Sequence, residues 1–394
     1  MNIGILSPFN PSEFKGYLSD YNIPAICKSA SSVNAMVLGL LEQGYHVHVF
    51  TCAPIGSRDY IGNQLKVTII NNQYPIIGSS RNNRLFLHNR IINAVKKYID
   101  HLDVIHAQWT YEYALAASKF SKIKPTFCTV RDWCPYIMKC QKKLTDKFFW
   151  HITSNYIFKQ VFGDSNIHFI ANSTYTYQCI KSRYPKREID IVPNSIKEEF
   201  FKTDAHKPND NLVCISIAQA ISEPRKNIKK LLIAFNEYIK INPKAKLKLV
   251  GRDCVDENVT VESFRSLGIL KNVELCGYVN HDDLMKLLDT CDVLIHPSLE
   301  ETFGNILIEG MARGVLVIGG KEAGAVPSVL ENGKAGILCD VTNVHSIVEA
   351  LSLAQRPEIR KQINDYASQI VQEKYSNNNV AYKQIKIYQK YLSK

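Results

Sequence analysis

The sequence contains no C-x-x-C pair, and its eleven cysteines are an odd number, so it carries neither a complete disulfide framework nor a zinc ribbon. Several of them, Cys128, Cys214, Cys276 and Cys339 included, sit inside apolar, strand-like runs. That placement predicts buried, reduced thiols and a cytoplasmic setting. No run of about 18 apolar residues occurs, which excludes a spanning helix and restricts any membrane contact to the periphery. The N-terminal Met-Asn-Ile-Gly-Ile-Leu-Ser-Pro lacks the basic region, long apolar core and small-residue cleavage site of a signal peptide; it reads as a first strand. Helix-turn-helix, RNP-type and zinc signatures are missing too, so no nucleic-acid partner is expected.

The chain has 394 residues, 45% of them apolar and 22% charged, which suits two globular domains with a core each and no large disordered fraction. The net charge of +11 is uneven. Residues 1–195 hold 22 Lys and Arg against 12 Asp and Glu, whereas residues 196–394 hold 26 against 25. An excess confined to one half fits an acidic partner of that half, an anionic membrane among them; solubility is the plainer reading.

Strand-like runs alternate with helical patterns almost throughout, the signature of parallel sheets with helices on both faces. Strands are expected at Ile3–Leu6, Val47–Thr51, Val67–Ile70, Val104–His106, Thr126–Val130 and His168–Ala171, with helices at Ser31–Gln43 and Leu85–Ile99. After the aperiodic, polar Lys202–Asn211 the alternation restarts at Leu212–Ala218. The expected division is therefore residues 1–200 and 201–376, with a Lys-rich final helix in 377–394 packing back on the first domain. The fold class is α/β: two Rossmann-like, doubly wound parallel-sheet domains facing across a cleft, with ligands outside the carboxyl ends of the strands.

The richest segment runs from His296 to Gly319 as strand, turn, helix and strand. Thr302, Phe303, Gly304 and Asn305 bring backbone N–H groups to a helix N-terminus, where phosphate oxygens bind readily, and Gly304 admits a bulky anion close to the main chain. Glu309 follows in the helix and Glu301 precedes it in the loop. Alone, Glu309 would read as a residue complementing the helix dipole, and Glu300 and Glu301 as solvated loop charges.

In this context Glu301-Thr-Phe-Gly and Glu309-Gly-Met-Ala-Arg-Gly-Val-Leu-Val, eight positions apart, resemble the signature of the retaining glycosyltransferases of family 4, also called group 1, which have the GT-B fold. The departures are Thr302 for Gly, Gly310 for Ala and Leu316 for Pro. The resemblance implies that Glu309 binds the ribose of a nucleotide diphosphate sugar, Glu301 its sugar, and the backbone of Thr302, Phe303, Gly304 and Asn305 its phosphates. Ser222-Glu-Pro-Arg-Lys-Asn resembles the family segment that grips the diphosphate, which assigns that part to Lys226. The family's strand-end Arg is replaced by Gln219, with Arg225 as its substitute. Tyr278 and Val279, after Val273-Glu-Leu-Cys-Gly, match the loop that frames the base; plain packing is the alternative for Tyr278. The turn Gly319–Ser328 matches the family's Gly-Gly-x-Pro-Glu more weakly. In Thr129-Val-Arg-Asp-Trp, Arg131 is assigned to the donor side and Asp132 to the acceptor side, with a structural ion pair as rival.

The likeness is dense over residues 212–340 and architectural elsewhere. It implies a retaining transfer to a glycan or lipid-linked acceptor, in the assembly of a bacterial surface polysaccharide or lipopolysaccharide, with no cofactor beyond the donor. The Asp-x-Asp by which glycosyltransferases of the other large fold hold a metal is absent, so no metal site is expected. Lys139–Lys159 mixes cations with aromatic residues: either an interfacial amphipathic helix or a helix with its aromatics in the core. An epimerase or phosphorylase of similar architecture is the alternative function.

Overall fold

The computed structural model describes all residues except 21, 28–29, 74–83, 141–143, 202–208 and 394. Most of the polar stretch read as the domain boundary, and the middle of the cationic run after Lys139, therefore lie outside the described residues. The chain forms two compact units, Met1–Ile196 with Ser376–Lys394, and Lys197–Tyr375. The division falls slightly before the expected 200/201. The reason is that Phe200 is buried, its ring lies against His281, and its carbonyl accepts from Arg313, so the segment from Lys197 onward is anchored in the second unit.

The first unit holds β1 (Asn2–Leu6), β2 (His46–Ala53), β3 (Arg58–Ile61), β4 (Leu65–Asn71), β5 (Val104–Gln108), β6 (Thr126–Val130), β7 (Ile167–Ala171) and β8 (Ile189–Ile191). They form one sheet in the order β3-β4-β2-β1-β5-β6-β7-β8. All neighbours are parallel except the β3–β4 pair. Every residue of β5, β6 and β7 is buried, as a parallel sheet covered on both faces requires. Alternate residues feed two cores: Val104 packs with Ile3, Ile5 and Val49, while Ile105 and Ala107 pack with Leu115, Val161 and Phe169.

The second unit holds β9 (Val213–Ile217), β10 (Lys246–Val250), β11 (Val273–Leu275), β12 (Val293–His296), β13 (Leu316–Gly320) and β14 (Ile337–Cys339). Its sheet is wholly parallel, in the order β11-β10-β9-β12-β13-β14. The strand order reverses between β9 and β12, so the connections leaving these two neighbours diverge to opposite sides and open a crevice at their carboxyl ends. The helix Ile228–Ile241 buries Leu231, Leu232, Phe235 and Tyr238 against this sheet. All eleven cysteines are free thiols, and no described helix is long and apolar enough to cross a membrane.

The C-terminal helix Asn377–Leu392 belongs to the first unit. Val380, Ala381, Ile385 and Tyr388 join the core that Val33, Met36, Val37 and Leu40 contribute from the helix Ser31–Glu42. The two helices meet at Gly39, where a Cβ would lie 2.3 Å from the Asn377 carbonyl oxygen. Only glycine allows that approach. Gly39→Val is expected to lower stability by about 1–3 kcal/mol or more through overpacking, read as a fall in the thermal midpoint; an unchanged midpoint would contradict this packing.

Candidate active site

The loop after β9 turns through a short 3-10 helix, Pro224–Lys226, and Asn227 takes left-handed backbone angles before Ile228 starts the next helix. Asp253 fastens this loop by accepting from the backbone N–H groups of Ile221 and Ser222, at 2.7 and 3.0 Å. The loop after β12 runs from Pro297 to Gly304. Its Leu299 N–H donates to the Arg225 carbonyl at 2.9 Å, tying the two loops together. Two adjacent strand ends thus hold cationic and acidic segments face to face.

The contact they make is centred on Glu301. Lys226 Nζ lies 2.6 Å from its Oε1, His296 Nε2 lies 3.2 Å from the same oxygen, and Arg225 Nη1 stands 3.7 Å away. Arg225 also donates to the Glu300 carbonyl at 3.0 Å, and its Nη1 is 4.0 Å from the Glu300 carboxylate. Both glutamates are largely buried, unlike the solvated loop charges that their sequence setting alone suggests. Burial works against the Glu301 charge, but Lys226, His296 and Arg225 outweigh it and hold the carboxyl well below the ordinary carboxylate range. At neutral pH Glu301 is therefore an anion, able to accept hydrogen bonds and unable to deliver a proton. Its backbone is pinned as well, since its carbonyl accepts from Ala325 N–H at 2.8 Å, in the turn that follows β13. Ser298 is buried, and its hydroxyl has no hydrogen-bond partner among the described residues. It leaves polar capacity for a ligand.

Gly304 caps the helix Asn305–Ala312 with φ +86°, a conformation that glycine adopts without penalty. Thr302 and Phe303 lead into it, and Phe303 is buried against Tyr375. The amides at this N-terminus and the partial positive charge of the helix end suit an anion. Glu309, in the same helix, is buried with His281 Nε2 at 3.5 Å. His281 opens the helix that follows Tyr278 and Val279, and the Tyr278 side chain is exposed rather than packed into the core. Glu301, Lys226 and Arg225 are thus assembled directly, and Glu309 adjoins the element after the Tyr278 loop. His296 and His281 were not singled out in the sequence. The first ends a strand, a readable hint; the second is an isolated His with no spacing signal.

Arg131 and Asp132 follow β6 in the first unit. Arg131 is buried, donates to Gln108 Oε1 at 2.7 Å and Ser32 Oγ at 3.1 Å, and bonds Asn194 Oδ1. Burial pulls its pKa down to about 9, which leaves it cationic at neutral pH. Asp132 accepts from the Tyr111 hydroxyl at 3.0 Å. Among the described residues no group of three or more His, Cys, Asp or Glu side chains is placed to hold a metal ion.

The comparisons with known proteins fall on this arrangement. The family described as "Glycosyl transferases group 1" matches residues 197–370, and "Glycosyltransferase Family 4" matches residues 29–200. The chain belongs to the group 1, family 4 glycosyltransferases. Within that family it is 29% identical over 147 residues to the phosphatidylinositol N-acetylglucosaminyltransferase gpi3 subunit of Schizosaccharomyces pombe, covering 37% of this chain and 31% of that protein. It is 27% identical over 240 residues to the lipopolysaccharide 1,2-N-acetylglucosaminetransferase of Salmonella typhimurium, covering 57% and 62%. The matched segments thus span about a third to three-fifths of these relatives' own lengths. Among solved structures, Anabaena HepE in complex with UDP and glucose superposes with a TM-score of 0.69 at 16% identity, covering 99% of this chain and 100% of that one. This likeness is one of fold, and the fold is GT-B.

Removing one partner of a buried ion pair costs about 3–5 kcal/mol. His296 and Arg225 stay beside Glu301 in Lys226→Ala, so a loss near the lower end is expected in the ligand-free protein. Lys226→Met combined with Glu301→Gln recovers most of it; equal midpoints for the single and double variants would contradict the pairing. The folded-state carboxyl of Glu301 is depressed, so its stabilisation is present above the unfolded value, near pH 4, and lost as pH falls further. The stability difference between wild type and Glu301→Gln should accordingly be flat above about pH 5 and shrink below it.

Proposed function

We propose that this protein transfers a sugar from a nucleoside diphosphate donor, a UDP- or GDP-sugar bound by the second unit, to a glycan or lipid-linked acceptor, with retention and without a metal. The observation that carries this reading is the Lys226–Glu301 pair at the strand-order reversal, beside a glycine-capped helix N-terminus. UDP in the HepE complex favours a uridine donor, and the names of both relatives favour N-acetylglucosamine as its sugar. The lipopolysaccharide relative favours a bacterial surface glycan as the product.

The chemistry follows from the charges. The diphosphate lies on the amides at Phe303–Asn305 and draws Lys226, with Arg225 behind it, away from Glu301. Glu301 then turns its accepting oxygens to a hydroxyl of the donor sugar, held in place by His296. Glu309 accepts from the ribose hydroxyls, and the Tyr278–Val279 backbone meets the base. As the bond between the anomeric carbon and the diphosphate breaks, the leaving group takes the electron pair. Lys226 and the helix N-terminus stabilise the charge that grows there, the kind of preorganised electrostatic contribution that enzymes use most. The acceptor hydroxyl attacks from the same face, and its proton passes to a phosphate oxygen of the leaving group. Arg131 and Asp132 serve the first unit's side of the reaction, Arg131 toward the donor and Asp132 toward the acceptor.

Thermal-shift titration with UDP, GDP and their sugars should raise the midpoint for one nucleotide series, since a ligand selective for the native state stabilises it. Lys226→Ala and Glu301→Gln should each lower turnover by about a hundredfold or more. Full transfer rates in both variants would end the assignment, and an inverted anomeric centre in the product would remove the retaining step.

A further inference from the structure

Among its described side chains, the helix Leu144–Gly163 is buried toward its C-terminus and exposed toward its N-terminus. Its C-terminal half buries Ile157, Phe158, Val161 and Phe162 in the first unit's core, where Phe162 stacks on Phe169 and Tyr184. The described apolar side chains of its N-terminal half do the opposite. Leu144, Phe148, Ile152 and Tyr156 are 82%, 69%, 49% and 49% exposed, and they recur every fourth residue, which places them in a row along one side of the helix. Single exposed apolar side chains are ordinary; four large ones in line are a patch that needs a partner. The described aromatics divide between core and surface: Phe158 and Phe162 are buried, Phe148 and Tyr156 exposed.

The charge around the row selects the partner. Residues 139–159 contain five lysines and one acidic residue, Asp146. Lys139, Lys147 and Lys159 are exposed, the latter two on the helix itself. The half of the chain that contains them also holds nearly all of the protein's positive excess. A helix with an apolar row flanked by ammonium groups matches a surface that offers hydrocarbon below and negative charge above. We infer that Leu144, Phe148, Ile152 and Tyr156, framed by Lys147 and Lys159, form a docking ridge for an anionic lipid bilayer. The ridge carries the protein to its acceptor's phase and takes no part in the transfer itself. This deepens the lipid-linked reading proposed above and rests on it for its biological sense, whereas the physical argument rests on the ridge.

Sedimentation of the purified full chain with vesicles tests it. Wild type should bind vesicles of phosphatidylcholine with about one-third phosphatidylglycerol at least roughly tenfold better than phosphatidylcholine alone, and salt should weaken the binding. The triple variant Leu144→Gln, Phe148→Gln and Ile152→Gln should lose at least about tenfold in binding. Lys147→Gln with Lys159→Gln should lose the preference for anionic lipid. Both variants should keep the wild-type thermal midpoint and its shift by UDP, which separates a lost surface from a lost fold. Equal binding by wild type and the triple variant, no preference for anionic vesicles, or a wild-type dimer that the triple variant abolishes would each overturn the proposal. If UDP fails to shift wild type while the vesicle results hold, the donor reading fails and the ridge stands.

Discussion

The arrangement of the second unit depends on keeping one carboxylate charged where water scarcely reaches. An isolated carboxylate would escape burial by taking a proton. Glu301 avoids this because two loops deliver three nitrogen-bearing side chains to it: Arg225 and Lys226 from the connection after β9, and His296 from the end of β12. That delivery needs β9 and β12 to be neighbours, although β10 and β11 intervene in sequence between them. The strand order is thus what brings residues 75 positions apart in the chain into a 2.6 Å contact. Before any ligand arrives, the Lys226 charge is already in place and its desolvation already compensated.

Much of the fold could be read in advance because parallel strands covered on both faces are continuous apolar runs. Val104–Gln108 and Thr126–Val130 are of that kind and stand out from their polar surroundings. The strands that went unread are the ones at the edges. Arg58–Ile61 carries Arg, Asp and Tyr in four residues and pairs on one side only, and Ile189–Ile191 spans three partly exposed positions. An edge strand buries little, so its sequence need not be apolar. The helix expected within Lys139–Lys159 is present as Leu144–Gly163, but it has no single apolar stripe, because its described apolar side chains are exposed toward its N-terminus and buried toward its C-terminus. At the domain boundary, Phe200 is buried against His281 of the second unit, and one buried aromatic beside a polar run is not a pattern.

The candidate site was legible where its residues lie close in sequence. Glu301 and Glu309 share one helix entry, and their spacing is visible in a line of text. Pairings across the fold were not. Glu300 looks like a loop charge until Arg225 is seen beside it, and His281 gains meaning only from its position 3.5 Å from Glu309. Such partners are set by which strands adjoin, and that is settled by packing over the whole unit rather than by local propensity.

The first unit contains a second buried polar system, centred on His106. Gln108 accepts from Arg131 through Oε1, so its amide nitrogen faces His106, 3.1 Å from Nε2. The same amide nitrogen lies 3.4 Å from Nδ1, and the Thr129 hydroxyl lies 2.7 Å from Nε2. Burial, with Arg131 and His168 nearby, keeps the ring neutral by pulling its pKa down to about 3. Nδ1 shares a hydrogen bond with the Tyr388 hydroxyl at 2.6 Å. Tyr388 stands on the C-terminal helix. That helix does more than close an apolar core: it terminates a chain of hydrogen bonds that fixes the amide of Gln108 and, through it, the plane of the Arg131 guanidinium. The return of the chain to its first unit thereby orients a cation at the carboxyl end of β6, far from the helix in sequence and two residues removed from it in hydrogen bonds.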